Sequence, residues 1–224
     1  MNPPVYKYGK REHIEALTRR GQILVGTLYD FRDRERHSSA MIADPLEGIK
    51  VVTECVFELR PETHAPLTRR AFGVPPGTPT PTMIIRNNLM RLQHRTENLW
   101  IYCVSGTLMS TTAMKAVMDP SYDAVAEIRN PEVLHELVCD ELDRRHPLRN
   151  TWGVWVTYRN REGPYADDDG IDAAVIKPPI FARQDELRMI FAPATPITEK
   201  NILLEVPPLV SCCRMLRDDE IPKA

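Results

Sequence analysis

Twenty prolines against ten glycines in 224 residues set the first limit on this chain. Each proline locks its own φ and removes a backbone donor, so it interrupts helices and central strands alike. A long helical bundle is therefore excluded. Short helices joined by stiff, extended connections are expected instead. With 42% hydrophobic and 27% charged residues, there is enough apolar material for a packed core. Lysine and arginine number 29 against 31 acids, a formal charge of −2. That removes any polybasic mode of nucleic-acid or membrane binding by the chain as a whole and leaves only a local patch. No apolar run approaches the roughly 18 residues of a spanning helix. The start, MNPPVYKYGKREH, reaches charge and proline too early for a signal peptide. A soluble, cytoplasmic protein without a membrane partner is expected. The five cysteines (Cys55, Cys103, Cys139, Cys212, Cys213) are odd in number and lack C-x-x-C spacing. Reduced core thiols fit them better than a disulfide framework or a zinc site.

Along the chain, Val5–Tyr8 reads as a strand and Arg11–Arg20 as an amphipathic helix, with Ile14 and Leu17 inward and Gly21 closing it. Gln22–Leu28 is a second strand, followed by a long polar loop with one short helical turn. Ile49–Leu59 alternates as a strand does. Residues 60–81 hold six prolines and two glycines and read as a surface excursion. Met83–Ile85 is expected as strand and Asn88–His94 as a short helix. Leu99–Val104 is an unbroken apolar run, hence a buried strand. Thr107–Met118 has helical composition, and Tyr122–Ile128 is strand-like. Pro131–Arg144 is the clearest helix, with Asn130 as cap and Leu134, Leu137, Val138 and Leu142 on one face. Thr151–Tyr158, Pro179–Ala182, Glu186–Ala192, Asn201–Val206 and Leu209–Cys213 complete a strand-rich C-terminal half. Early helices and late strands describe a single α+β domain over 1–224, built on antiparallel sheets.

Sequence motifs for nucleotide loops, hydrolase elbows and HExxH metal sites are absent. The six histidines are scattered, with no pair at ligand spacing, and Ala166–Gly170 reads as a solvated acidic turn, so no metal site is expected. Charge is uneven, however. Between Arg60 and Arg95 stand six arginines, among them Arg69, Arg70, Arg86 and Arg91, against the single acid Glu62. Such an excursion can hold phosphates of a nucleic acid by charge, or serve as an ordinary basic surface loop. Phe72 is its single aromatic, which gives little for base stacking.

Three segments stand out together: the Y-K-Y start (Tyr6, Lys7, Tyr8), the polar loop with F-R-D (Phe31, Arg32, Asp33) and D-P-L-E-G (Asp44–Gly48), and Q-D-E-L-R, which sets Gln184 and Glu186 one residue apart with Arg188 following. The set resembles an uncharacterised bacterial family that begins with Y-K-Y, carries N-D-P-x-E after the second strand and ends with E-x-E-x-R. That family in turn looks like the ADP-ribosyltransferase fold. The resemblance implies NAD as substrate, with Glu186 as the catalytic carboxylate and Gln184 orienting the acceptor. It also implies dinucleotide contacts from Tyr6, Lys7 or Tyr8, and a supporting hydroxyl from Ser105. A carboxylate there opposes the positive charge that develops as the nicotinamide–ribose bond loosens. The departures are Ala43 in place of the motif's Asn, Q-x-E in place of E-x-E, and no arginine or histidine on the first strand. The Q-x-E form points away from an arginine acceptor. Nucleic acid or protein is the implied acceptor, in the setting of a toxin with its antitoxin partner or a phage-defence effector. A non-catalytic module of the same fold, gripping nucleic acid or a partner protein through the basic loop, is the alternative. So is a phosphotransferase on an RNA end. The plainest reading of Gln184–Arg188 is a solvated strand edge with a structural Glu–Arg pair.

Overall fold

The computed structural model describes residues 3–32, 44–59, 85–164 and 168–223, with the backbone alone for 54–59 and 85–90. In chain order come β1 (Val5–Gly9), α1 (Arg11–Arg20), β2 (Gln22–Thr27), β3 (Ile49–Leu59), β4 (Ile85–Arg95) and β5 (Trp100–Ser105). Then follow α2 (Thr111–Val117), β6 (Ala124–Ile128), α3 (Pro131–Arg145), β7 (Leu148–Trp155), β8 (Thr157–Tyr158) and β9 (Glu162–Pro164). The last are β10 (Ile176–Lys177), β11 (Glu186–Pro193), β12 (Asn201–Glu205) and β13 (Cys213–Met215). The architecture is α+β with mostly antiparallel pairing; β8–β10 and β3–β9 are parallel.

The apolar run at 99–104 supplies the strand on which the main sheet is assembled. One side of β5 pairs with β11 from Ser105 opposite Glu186 to Trp100 opposite Phe191, and β11 pairs onward with β7. The other side of β5 is shared. β2 meets it at Trp100 and Ile101, whereas β1 meets it at Ser105. Two ribbons, β2–β12 and β1–β6–β13, therefore leave opposite ends of one strand, and residues 102–104 border the gap between them.

Alternation along β5 divides the core as strand geometry requires. Trp100, Tyr102 and Val104 join the helix side, packed with Leu17 of α1 and Leu134, Val138 and Leu142 of α3. Leu99 and Ile101 join Leu28, Ile190 and Ala192 on the other face. Leu134, Val138 and Leu142 have no exposed surface, and such side chains stabilise by about 1.5–3 kcal/mol each. Val138→Asp would bring an unpaired charge among them and break the helix–sheet contact. Both long helices carry their expected punctuation. Asn130 caps α3, accepting from the Val133 N–H, and Pro131 opens it. Gly21 ends α1 at φ 67°, and a Cβ there would lie 2.1 Å from the Val206 carbonyl oxygen.

Local propensity misleads at four places. Asn88–His94, expected as a helix, belongs to β4, which pairs with β3 over its length. Its Leu, Met, Arg and Gln favour helices, but exposed Arg91, Gln93 and Arg95 alternate with half-buried Leu92 and His94, a period of two that pairing with β3 exploits. Pro179–Ala182 is not a strand but the start of a 3₁₀ turn, Pro179–Gln184, since Pro178 and Pro179 offer no ladder donors. Likewise Leu209–Cys213 is mostly the 3₁₀ turn Pro207–Ser211, with only Cys213 in β13. The helix expected over Thr107–Met118 is confined to α2, where the Ser110 hydroxyl caps the Ala113 N–H. The excursion at 60–81, with Arg69 and Arg70, lies outside the described residues. Among the described residues no helix is long and apolar enough to cross a membrane.

Candidate active site

Register across three strands creates the site. Tyr6 of β1 lies opposite Ser105 of β5, which lies opposite Glu186 of β11. This row floors a pocket of about 630 Å³, lined also by Lys7, Tyr8, Phe31, Tyr122, Lys177, Gln184 and Arg188. Beyond Tyr6, β1 no longer pairs with β5, and Lys7 reaches across the gap to donate to the Cys103 carbonyl at 2.8 Å. Its ammonium also lies 4.3 Å from the centre of the Tyr102 ring. On the other side of Lys7 is a larger groove of about 1580 Å³ along α1 and β2, sharing Lys7, Tyr8, Phe31 and Tyr122 with the inner pocket.

Glu186 is 6% exposed, and both of its oxygens are engaged. Lys177 Nζ donates to Oε2 and Arg188 Nε to Oε1, each at 2.5 Å. Burial alone would push this carboxyl up. The charges and hydrogen bonds of Arg188 and Lys177 more than offset that and hold it well below the usual carboxylate range. The pairing continues inward. Arg188 Nη1 donates to Glu47 Oε1 at 2.7 Å and to the Ala174 carbonyl, and Arg161 Nη1 donates to Asp44 Oδ1 at 2.8 Å. Arg161 also lies 3.6 Å from Glu47. Lys177, Glu186, Arg188, Glu47, Arg161 and Asp44 thus form a buried ladder of alternating charge, none more than 9% exposed. Glu186 is neither solvated nor at an edge, since β11 has a strand on each side.

Gln184 reaches the same ammonium by a different route from the one strand alternation implies. It ends the 3₁₀ turn rather than entering the strand, and its Oε1 accepts from Lys177 Nζ at 2.9 Å. Tyr158, from β8, accepts the Glu186 backbone N–H at 2.8 Å. Two expected contacts are committed elsewhere. The Ser105 hydroxyl lies beside Glu186 in register but donates to the Thr107 carbonyl and accepts its N–H. The Tyr8 hydroxyl donates to the same carbonyl and accepts the Met109 N–H, and burial raises it to about 12. Burial lowers the Lys7 ammonium from its ordinary value.

Of the basic set, Arg91 is exposed and ion-paired with Glu162 at 3.3 Å, Arg86 is placed in β4 by its backbone, and Arg69 and Arg70 are outside the described residues. Arg91 does not line the inner pocket. Sequence reasoning missed Lys177, Arg161 and Tyr122. Lys177 carried a readable signal: a lone charge inside Ala-Ala-Val-Ile-Lys-Pro-Pro-Ile-Phe is buried only if paired. The others carried none. Among the described residues no group of three or more His, Cys, Asp or Glu is placed to hold a metal ion. Comparison with protein-family models, curated proteins and solved structures finds no match.

Proposed function

We propose that the inner pocket receives the nicotinamide–ribose half of NAD and that the chain is an ADP-ribosyltransferase-like enzyme acting on a nucleic acid or protein. The observation that carries this reading is one buried, ionised carboxylate set among three cations, Lys7, Lys177 and Arg188, on a wall of tyrosines. With Arg188 shared between Glu186 and Glu47, Lys7 is the cation the ladder leaves over, suited to a phosphate, and the rings of Tyr6, Tyr8, Phe31 and Tyr122 suit a flat heterocycle. A carboxylate oxygen has two acceptor positions, so Glu186 can accept from a ribose hydroxyl while retaining its ion pairs. Those pairs keep it charged, as opposition to an oxocarbenium-like centre requires. The groove beyond Lys7 gives the rest of the dinucleotide room to continue.

A second reading, a binding module without chemistry, draws on the same contacts. Two cations already share the Glu186 charge, which weakens what it can offer a cationic transition state. Thermal unfolding with NAD, and release of nicotinamide from NAD, separate the two. NAD at a hundred times Kd should stabilise the fold by about 2.7 kcal/mol. Glu186→Gln, checked for fold by circular dichroism, should abolish nicotinamide release in the enzyme reading. Stabilisation by NAD without release supports the binding module. Neither effect at millimolar NAD rejects the dinucleotide.

A further inference from the structure

We propose that Asp185 is a positioning residue: its left-handed backbone, latched to the loop after β5, brings Gln184 and Glu186 onto the single ammonium of Lys177. The inference concerns the pocket above and rests on the NAD reading only where activity is measured.

In a continuous strand, residues two apart share a face at a separation of roughly 6–7 Å. Here the chain turns instead. Gln184 ends a 3₁₀ helix, Glu186 starts β11, and Asp185 between them has φ 44° and ψ 58°. It is the one non-glycine with positive φ among the described residues. That conformation crowds Cβ against the following carbonyl oxygen in an L-residue, and Asp and Asn are the side chains that tolerate it best. Such a conformation persists where the surroundings enforce it.

The enforcing contacts are specific. Thr107 Oγ1 donates to Asp185 Oδ2 at 2.7 Å, and the Gly106 N–H donates to the Asp185 carbonyl at 2.8 Å. A Cβ at Gly106 would stand 2.7 Å from Asp185 Oδ2 and 2.6 Å from the Trp155 ring, so a larger residue would force the latch apart. Ser105, directly before Gly106, faces Glu186 in register. The latch therefore closes the turn onto the loop that leaves the pocket floor. Thr107 is exposed, so cutting the latch there leaves the core untouched.

The test compares Asp185→Ala, Asp185→Gly, Asp185→Asn and Thr107→Ala in the full chain. Two readouts are used: nicotinamide release from NAD, and the acid titration of the Glu186 carboxyl by ¹³C NMR. Asp185→Ala should lower kcat by about tenfold or more with KM within about twofold, because small misplacements cost that much. Its Glu186 carboxyl should begin to protonate at higher pH than in the parent. Asp185→Asn, which keeps an acceptor for Thr107, should restore both. Asp185→Gly keeps the turn and the backbone bond from Gly106 and loses the bond from Thr107. It should match Thr107→Ala, and the double variant should add nothing. Parental kcat and parental Glu186 titration in Asp185→Ala and Thr107→Ala would overturn the proposal. Should Asp185→Ala not fold, Thr107→Ala and Asp185→Gly decide alone. A parent chain without NAD turnover rejects the enzyme reading, while the Glu186 titration still decides the role of Asp185.

Discussion

Two carboxylates in this molecule are held by arginines in nearly the same way and at opposite depths. Glu186 accepts from Arg188 Nε at 2.5 Å, and Glu127 accepts from Arg214 Nε at 2.6 Å across the β6–β13 pair. Both carboxyls are held below their ordinary range, Glu127 chiefly by its hydrogen bond from Arg214 and Glu186 by the Arg188 and Lys177 charges acting against burial. The difference is water. The Arg188 side chain is 2% exposed and the Arg214 side chain 37%. Solvent can replace Arg214, since water screens the charge that is left, whereas Glu186 and Glu47 without Arg188 keep only Lys177 and the more distant Arg161 in a space closed to water. Burial makes a contact costly to break without making it a large net source of stability.

Arg188→Met is the sharpest way to break the comparison. It leaves Glu186 and Glu47 facing each other in the core without the charge that separates them. The expected loss is about 3–5 kcal/mol in urea unfolding. If Arg188→Met costs no more than Arg214→Met, burial is not what distinguishes the two clusters. Lys177→Met should cost less, about 1–3 kcal/mol, because Glu186 keeps Arg188 while the buried Gln184 Oε1 loses its ammonium donor. A loss equal to that of Arg188→Met would mean that the two cations hold Glu186 equally.

The elements that rest on local rules were the most legible in the sequence. Gly21, Asn130 and Pro131 mark helix ends by chemistry that needs no tertiary partner, and the helices end there. The unbroken run at 99–104 reads as a strand covered on both faces, and β5 is that strand. The Y-K-Y and Q-D-E-L-R segments stood out by residue type, and β5 brings them to one pocket because it pairs with both β1 and β11. What was not legible depends on partners distant in sequence. Arg161 finds Asp44 117 residues away, and Arg188 finds Glu47 141 residues away; no spacing announces either pair. β4 was misread for the same reason, since its helix-favouring composition yields to pairing with β3. Gln184 and Glu186 do converge, though through the turn at Asp185 and not through strand alternation.

Acid titration sharpens the contrast at a smaller scale. Both carboxyls have folded-state values below the unfolded ones, so the unfolded chain binds protons first as pH falls. Their contribution is complete above the ordinary carboxylate value, about pH 4.3, and is lost progressively below it. Unfolding free energy measured from pH 6 down to pH 2 should therefore fall in the parent chain. The fall should be shallower in Glu186→Gln, whose carboxyl has been removed from the titration. Glu127→Gln should flatten the fall less, because its carboxylate is only partly buried and Arg214 keeps its pair with Glu220. Equal flattening in both variants would place Glu127 on the same footing as Glu186.

Salt gives the smallest effect and the cleanest separation. An exposed ion pair contributes about 0–1 kcal/mol, and that contribution depends on how far its charges are felt through water. Raising ionic strength from about 0.1 M to about 1 M contracts the screening length from about 10 Å to about 3 Å. The coupling between Glu127 and Arg214, measured by a double-mutant cycle with Glu127→Gln and Arg214→Met, should then shrink toward zero. Ions have no access to the space between Glu186 and Arg188, where both side chains are more than nine-tenths buried. The cycle built on Glu186→Gln and Arg188→Met should therefore return the same coupling at both salt concentrations. If 1 M salt erases that coupling too, water reaches the inner pair through the gap beside β5, and the floor of the pocket is wetter than its packing implies.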